Sequence, residues 1–377
     1  MSTPRGSDIP NLNTFRSSHP GRGRGRKGGF AASEQGTEAQ DQVVQRTDQD
    51  ASVSRMNAVA LGYLDDQFAK FFTPGPVPKK YPIINRGTYV RTTAIDMLVR
   101  RFLMTHCSQK KQIISLGAGS DTRYFRLVAE NPSLPLVYHE LDFAANTASK
   151  ISTLKRNPPL LKALQGHVKD ADDIAFSSDG TRLASPTYNI HPVDLRALVQ
   201  SSQTPQPLSL PNLSPDIPTL VLSECCLIYL SPSAADSVLS ALTRSLVPSP
   251  TPLSLILYEP IRPFDAFGKV MVANLASRGI HMQTLEKYAS LSAQTTRLQT
   301  AGFAGGQGAV DVDFAFEQWI DAKERERISR CEMLDELEEW RLLARHYCVA
   351  WGWRNGKQEY GDVFSRAWDD VKDQNED

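Results

Sequence analysis

The chain of 377 residues has no excess of charge of either sign, no long apolar run and no paired cysteines. Its 42 basic residues equal its 42 acidic residues, whereas nucleic-acid binding usually leaves a clear basic excess. The mean hydropathy is −0.34, and no stretch approaches the roughly 18 consecutive apolar residues that a membrane span needs. We therefore expect no nucleic acid and no membrane as the main partner of the folded part.

Cysteines are few and scattered, and none forms a C-x-x-C pair: Cys107, Cys225, Cys226, Cys331 and Cys348. An odd, scattered set is typical of reduced thiols in a cytosol-like compartment and argues against a disulfide scaffold or a zinc ribbon. The N-terminal residues also lack the apolar stretch of a secretory signal. We expect a cytoplasmic protein of enzyme size, monomeric by default and without a metal site, and leave a nuclear location open.

Composition divides the chain into a tail and one domain. Residues 1–50 are rich in Ser, Gly, Gln, Asp and Arg and nearly lack aromatic and branched apolar residues, which predicts a disordered tail. Within the tail, the Gly-Arg run at 21–27 is either a nucleic-acid or localisation patch or a solvated segment, and we favour the second. Residues 51–377 are predicted to form one domain, with a Pro- and Ser-rich surface insertion at 201–218.

The apolar pattern changes from helical spacing to alternating strands and helices along this domain. Helical spacing begins near Met56 and returns between Thr88 and His106. Strand patterns then occur at 112–116, 136–142, 188–190, 218–224, 253–259, 310–316 and 347–352, and helical patterns at 121–130, 143–156, 233–246, 264–277 and 319–345. The alternation indicates an α/β fold with a mostly parallel, doubly wound sheet covered on both faces.

The turn after the first predicted strand, which contains Gly117 and Gly119, is the feature that indicates chemistry. A strand that ends in G-x-G and opens a helix lets the backbone approach a ligand and points helix N–H groups at it. Asp142 follows Gly119 at close to the spacing of roughly 20 residues at which a carboxylate meets ribose hydroxyls. The pattern favours a nucleoside cofactor over a tight turn without a ligand.

This turn departs from the dinucleotide pattern, because Thr122 occupies the third glycine position and Asp121 adds a carboxylate. A carboxylate repels a pyrophosphate and attracts a sulfonium or ammonium group, which favours S-adenosylmethionine over NAD. Asp194 and Glu224 follow two further strands, so we expect them to meet Asp142 in one crevice at the carboxyl ends of the strands. Asp194 is equally well interpreted as a helix cap.

Several separate motifs, which occur in order between about residues 55 and 353, resemble the leucine carboxyl methyltransferase family. The matching segments are 84–91, 116–122, 140–143, 194–195, 223–229, 258–260, 267–275 and 334–348. The resemblance implies an S-adenosylmethionine enzyme that esterifies the C-terminal leucine of the catalytic subunit of protein phosphatase 2A. It further implies a seven-stranded class I methyltransferase sheet with added N-terminal helices and lid insertions.

The resemblance also assigns cofactor contacts by position, to Arg55, Arg91, Gly117, Asp142, Asp194, Leu195 and Glu224. To these the glycine turn adds Gly119. At Arg55 the family usually has lysine.

The implied reaction needs few catalytic residues. A C-terminal carboxyl has a reference pKa of about 3.3–3.7 and is already ionised at neutral pH, so no general base is required. The family position makes Arg91 our candidate to hold that carboxylate, because a guanidinium keeps its charge, and Tyr229 is the candidate second contact. Two alternatives stay open: an O-methyltransferase for small carboxylic acids, and an inactive protein that binds the phosphatase through the same cleft.

Overall fold

A computed structural model describes residues 31–73, 75–200, 210–357 and 359–374. Within these ranges, one sheet contains β1 (Lys111–Leu116), β2 (Leu136–Asp142), β3 (Ala175–Phe176), β4 (Leu183–Ala184), β5 (Tyr188–Pro192), β6 (Thr219–Glu224), β7 (Leu253–Pro260), β8 (Gly306–Asp311) and β9 (Tyr347–Arg354).

The α-helices of the same ranges are α1 (Ala31–Ala60), α2 (Ala69–Phe72), α3 (Pro82–Met104), α4 (Arg123–Glu130), α5 (Ala144–Arg156), α6 (Pro158–Gln165), α7 (Ala197–Gln200), α8 (Pro232–Ala241), α9 (Ala266–Ser277), α10 (Leu291–Thr300), α11 (Val312–Phe314), α12 (Ala322–Ser329), α13 (Leu337–Arg345) and α14 (Val363–Trp368). Short 3₁₀ turns lie at Ala171–Asp173 and Leu227–Tyr229, and π-helical turns at Leu242–Leu246 and Ala315–Trp319. None of these helices has the length and apolar character needed to cross a membrane.

The strand order is β3-β4-β5-β2-β1-β6-β7-β9-β8. Strands β5, β2, β1, β6 and β7 are parallel, whereas β9 runs antiparallel between β7 and β8. The predicted doubly wound, seven-stranded methyltransferase sheet is confirmed, and the two-residue strands β3 and β4 extend its β5 edge. The strand order reverses between β1 and β6, because β2 and β5 lie on one side of β1 and β6 and β7 lie on the other. Such folds bind ligands at the carboxyl ends of the strands at this point.

Both faces of the sheet are buried. The adjacent residues Ile113 and Ile114 of β1 belong to separate apolar clusters, as expected when successive side chains point to opposite faces. On the first face α3 packs through a stripe that includes Leu98 and Phe102, and on the second α8 packs through Val238. Helices on both faces therefore fix the positions of the strands and of the crevice at their carboxyl ends.

The N-terminal segment differs from the sequence-based expectation, because helix α1 already begins at Ala31 and includes residues predicted to be disordered. Residues 1–30, with the Gly-Arg run, lie outside the described residues. Few apolar residues occur between 38 and 50, and polar contacts hold this part instead: Asp41 pairs with Arg196 at 2.6 Å. Composition alone could not indicate such a helix, because its partners are distant in sequence.

Two further expectations near the C-terminal end are wrong in detail. The strand predicted at 310–316 ends at Asp311, whose Oδ1 accepts a hydrogen bond from Phe314 N at 2.8 Å and so caps a helical turn. The charged helix predicted at 319–345 is interrupted between α12 and α13, and the break lets Ile328 and Trp340 reach the same core cluster.

The predicted surface insertion at 201–218 is only partly described. Residues 201–209 lie outside the described residues, and Leu210, directly after them, is buried in the second core cluster. The insertion therefore returns to the core before β6 begins, rather than staying on the surface up to residue 218.

Candidate active site

A cavity of about 660 Å³ lies at the carboxyl ends of β1, β2, β5 and β6. Every residue that the sequence predicts for the site lines this cavity: Arg55, Arg91, Gly117, Gly119, Asp142, Asp194, Leu195, Glu224 and Tyr229. The volume is in the usual range for a small-molecule site of roughly 300–1,000 Å³. The fold thus brings the predicted residues together, while the role of each one stays a prediction.

The glycine turn has the backbone conformation that only glycine adopts easily. Gly117 and Gly119 have φ values of 60° and 45°, in the left-handed region. A Cβ on Gly117 would lie 2.7 Å from Cys226 Sγ, so a side chain there would also clash. The amide of Gly119 donates a hydrogen bond to Asp142 Oδ2 at 2.7 Å. The turn and the predicted ribose carboxylate are therefore one hydrogen-bonded unit.

Asp142 ends β2 with its carboxylate held by three donors. Besides Gly119, Oδ1 accepts from the amide of Phe143 at 2.7 Å and from Asn146 Nδ2 at 3.1 Å. Burial raises the pKa of Asp142, although these hydrogen bonds oppose the shift. The carboxylate is oriented before any ligand binds, as an acceptor for ribose hydroxyls requires.

Asp194 combines the two interpretations that the sequence left open. Its Oδ1 accepts a hydrogen bond from the amide of Arg196 at 2.9 Å, just before α7, and the side chain also lines the cavity. Arg196 Nη2 lies 2.6 Å from Asp194 Oδ2 and 2.6 Å from Asp41 of α1. Burial alone would raise the pKa of Asp194, but the hydrogen bonds from Arg196 lower it.

Glu224, at the end of β6, is held between two arginines. Its Oε1 lies 2.7 Å from Arg123 Nη1, and its Oε2 accepts a hydrogen bond from Arg91 Nε at 3.0 Å. Arg123 also pairs with Asp121 at 2.6 Å and with Asp96 at 2.9 Å. Although burial would raise the pKa of Glu224, the charges of Arg123 and Arg91 lower it, so the carboxylate stays ionised.

Arg55 brings a guanidinium with an unused hydrogen-bond donor to the cavity. Its Nη1 is buried without a hydrogen-bond partner, and the nearest carboxylate, Asp66 Oδ2, is 3.5 Å away. Burial lowers the pKa of Arg55, and repulsion by Arg126 adds to the shift. A buried guanidinium nitrogen without a partner calls for an anion. The carboxylate of the methionine part of S-adenosylmethionine supplies one, so the residues present fit this cofactor.

Beyond Arg91 the cavity becomes aromatic and apolar. The Arg91 guanidinium lies 4.8 Å from the ring centre of Tyr258, and Tyr258 stacks on Tyr347 with ring centres 5.6 Å apart. The remaining lining there is mostly aliphatic and aromatic: Ile83, Ile84, Val312, Trp340 and Leu343. A cation between a polar and an apolar part of the cavity suits a ligand with a carboxylate and an apolar side chain.

Tyr229 lines the same cavity, together with Thr47 of α1. Burial raises the pKa of Tyr229, so its phenol stays a neutral donor at physiological pH.

Burial also raises the pKa of the Cys225 thiol, to about 11, so the thiol stays protonated and is a poor nucleophile. Along the described stretches of the chain, no histidine lines the cavity. Arg91 and Tyr229 are therefore suited to position a ligand rather than to remove a proton from it.

Sequence reasoning missed several residues of the site. Asp41 and Asp48 of α1 fell within the predicted tail, Arg196 directly follows the matched segment 194–195, and Tyr258 lies in the matched segment 258–260 but was given no role in the site. Arg123 could have been found, because it directly follows the turn residue Thr122 in the sequence.

Comparison with known proteins gives a consistent result. The family model described as leucine carboxyl methyltransferase matches residues 32–243. "Leucine carboxyl methyltransferase 1" of Aspergillus fumigatus is 53% identical over 98% of both chains, and that of Emericella nidulans is 51% identical over 99% of both. Among solved structures, a plantazolicin methyltransferase in complex with SAH aligns with a TM-score of 0.36 and 10% identity, covering 82% of this chain and 97% of that one.

The matched segment includes the glycine turn, Asp142, Asp194 and Glu224, which are the residues that line the cavity from the sheet. The cofactor is S-adenosylmethionine, as predicted. The chain belongs to the leucine carboxyl methyltransferase family of S-adenosylmethionine-dependent carboxyl methyltransferases.

Proposed function

We propose that this enzyme methylates the C-terminal leucine carboxylate of the catalytic subunit of protein phosphatase 2A. The observation that supports the proposal most directly is Arg91, a partly buried cation that contacts Glu224 on the polar, cofactor-binding side and the ring of Tyr258 on the apolar side. A C-terminal leucine has a carboxylate for such a cation and an isobutyl group for the compartment lined by Ile84 and Leu343.

The cofactor would be held from three sides by residues already described. Asp142 would accept from the ribose hydroxyls, Arg55 would pair with the methionine carboxylate, and Asp194 with Leu195 would border the adenine. S-adenosylmethionine, when bound, supplies an electrophilic methyl group on a sulfonium. Glu224, which the two arginines keep ionised, adds a negative charge to this compartment and so favours a cationic ligand.

The protein's own contribution to the reaction is placement. Arg91 and Tyr229 would hold the acceptor carboxylate, which is ionised at neutral pH and needs no proton removed. Orientation of two bound reactants can lower a barrier by several kcal/mol. The apolar walls formed by Trp340 and Leu343 would exclude water from the reacting groups. We propose an in-line transfer from sulfur to oxygen with no covalent enzyme intermediate.

The test is methyl transfer from labelled S-adenosylmethionine to the intact phosphatase, to a phosphatase that lacks its final leucine, and to small carboxylic acids. Transfer that depends on the final leucine supports the proposal. Transfer to small acids but not to the phosphatase would replace it with a small-molecule O-methyltransferase. Cofactor binding without transfer to any acceptor would leave only a binding role for the cleft.

A further inference from the structure

Helix α1 reaches across the cofactor cavity and brings a carboxylate into the glycine turn. Asp48 Oδ1 accepts hydrogen bonds from the amide of Ser120 at 2.7 Å and from Ser120 Oγ at 2.6 Å. A Cβ built on Gly119 would lie 2.3 Å from Asp48 Oδ1. The absence of a side chain at Gly119 therefore makes room for Asp48 as well as for a ligand.

The position of Asp48 is chemically specific. In dinucleotide-binding folds, the amides between the glycine turn and the following helix receive a pyrophosphate. Here Ser120 lies in that stretch, ahead of α4, and its amide is already bonded to the carboxylate of Asp48. An internal anion thus occupies a donor that would otherwise be available to a phosphate.

Two further carboxylates close to Asp48 add to the negative charge that a phosphate would meet at the turn. Asp142 accepts from the adjacent amide of Gly119, and Asp121 follows Ser120 directly, so three carboxylates surround one turn. Asp121 is neutralised by Arg123 at 2.6 Å, whereas no basic side chain is within ion-pair distance of Asp48 among the described residues. Asp142 likewise has no ion-pair partner in the described part of the chain, so Asp48 and Asp142 are the two carboxylates whose charges act directly on a ligand in the turn.

We infer that Asp48 is a specificity-determining residue of the cofactor site, which excludes phosphate-bearing nucleotides and favours a cationic nucleoside. The inference depends on S-adenosylmethionine as cofactor and not on the identity of the methyl acceptor. It assigns a role in the site to a segment that composition alone marks as a tail.

Calorimetric titration of the full chain tests it with three probes: S-adenosylmethionine, its product S-adenosylhomocysteine, which is uncharged at sulfur, and ADP. Asp48→Asn keeps an acceptor oxygen for Ser120 and removes the charge, so binding of the cationic probe should weaken by about tenfold and that of the uncharged probe by less than about threefold. Asp48→Ala also frees the Ser120 amide. In that variant the affinity for ADP relative to S-adenosylhomocysteine should rise by at least about tenfold, with the two ligands in competition.

Asn57→Ala is the matched control for loosening α1, because Asn57 anchors the far end of the helix to the carbonyl of Pro78 at 2.7 Å and does not line the cavity. It should weaken both adenosyl probes equally and leave the relative affinity for ADP unchanged. If Asp48→Asn weakens the charged and uncharged probes equally, or if Asp48→Ala gains no relative affinity for ADP, Asp48 is only an anchor of α1 and the inference is wrong. Neither result depends on methylation of the phosphatase.

Discussion

Arg123 and Glu224 form an ion pair with an N–O distance of 2.7 Å behind the cofactor cavity. The side chain of Arg123 is 1% exposed, and its guanidinium also pairs with Asp121 of the glycine turn and with Asp96 of α3. The other oxygen of Glu224 is held by Arg91. One buried cation therefore links the turn, the end of β6 and the helix that carries the candidate substrate residue.

Replacing Arg123 with methionine should lower the free energy of unfolding by about 3–5 kcal/mol, because it removes the buried cation shared by Asp96, which is buried, and by Asp121 and Glu224, which are partly buried. Urea unfolding followed by circular dichroism measures the loss. Arg330→Met is the matched control: Arg330, at the end of α12, pairs with Glu326, and both side chains are exposed. Its loss should be at most about 1 kcal/mol. Similar losses for the two variants would contradict the role given to Arg123.

Asp142→Ala should abolish binding of S-adenosylhomocysteine, because it removes both the ribose acceptor and the group that orders the Gly119 amide. Asp142→Asn keeps one oxygen acceptor and should lose about tenfold to a hundredfold in affinity. Asp179→Ala, at an exposed turn that does not line the cavity, controls for loss of an aspartate and should bind normally. Normal calorimetric titration of Asp142→Ala would show that this carboxylate does not contact the cofactor.

Much of the fold was predictable because the central strands are short runs rich in apolar residues. The strand predicted at 136–142 coincides with β2, and that predicted at 253–259 differs from β7 by one residue. Local side-chain capping was harder to foresee. The alternating apolar residues after Val310 are typical of a strand, yet Asp311 caps a helical turn there. Alternation alone does not show which polar side chain will bond to its own backbone.

The site was predictable where a motif follows a strand, as at Gly117 and Asp142, because the topology of a doubly wound sheet brings strand ends together. It was not predictable where a long-range contact decides the structure. Asp48 meets Ser120 across 72 residues of sequence, and the segment around it contains too few apolar residues for a helix to be foreseen. Polar contacts of this kind have no periodic signal.

Arg91→Ala should reduce kcat/KM for the phosphatase by about a hundredfold or more, because a charge-assisted contact to the acceptor carboxylate is lost. It should also weaken binding of S-adenosylhomocysteine, since Glu224 loses one of its two cations. Tyr229→Phe, which removes only a hydroxyl donor, should cost about tenfold in kcat/KM. Steady-state methyl transfer measures both changes. Turnover of Arg91→Ala at the wild-type rate would remove the role assigned to this residue.

The rate of methyl transfer should not change with pH between about 6 and 9, because none of the groups that face the acceptor titrates in this range. Burial raises the pKa of the Cys225 thiol to about 11, so it stays protonated, and burial raises the pKa of Tyr229 as well. Cys225→Ser should accordingly retain activity. A profile of kcat against pH tests this, and an acidic limb near pH 7 would reveal a general base that this site is not expected to use.

A second buried ion pair lies behind the turn, between Lys150 of α5 and Glu140 of β2. The N–O distance is 2.6 Å, and the two side chains are 3% and 2% exposed. Lys150 Nζ also donates to the carbonyl of Asp121 at 2.8 Å. Burial raises the pKa of Glu140 from 4.5 to about 7, although Lys150 opposes the shift.

Because its pKa is raised in the folded state, Glu140 contributes stability that is fully present below pH 4.5 and is lost as the pH rises to about 7. The advantage of the wild type over Glu140→Gln in free energy of unfolding should therefore be smaller at about pH 8 than at about pH 5.

Lys150→Met leaves the carboxylate buried alone, and at about pH 8 it should lower the free energy of unfolding by about 3–5 kcal/mol. The double variant Lys150→Met with Glu140→Gln should recover most of that loss, because no uncompensated charge remains. Urea unfolding at both pH values measures these differences, and a loss in the double variant as large as in Lys150→Met would show that packing of the lysine, rather than its charge, stabilises the turn.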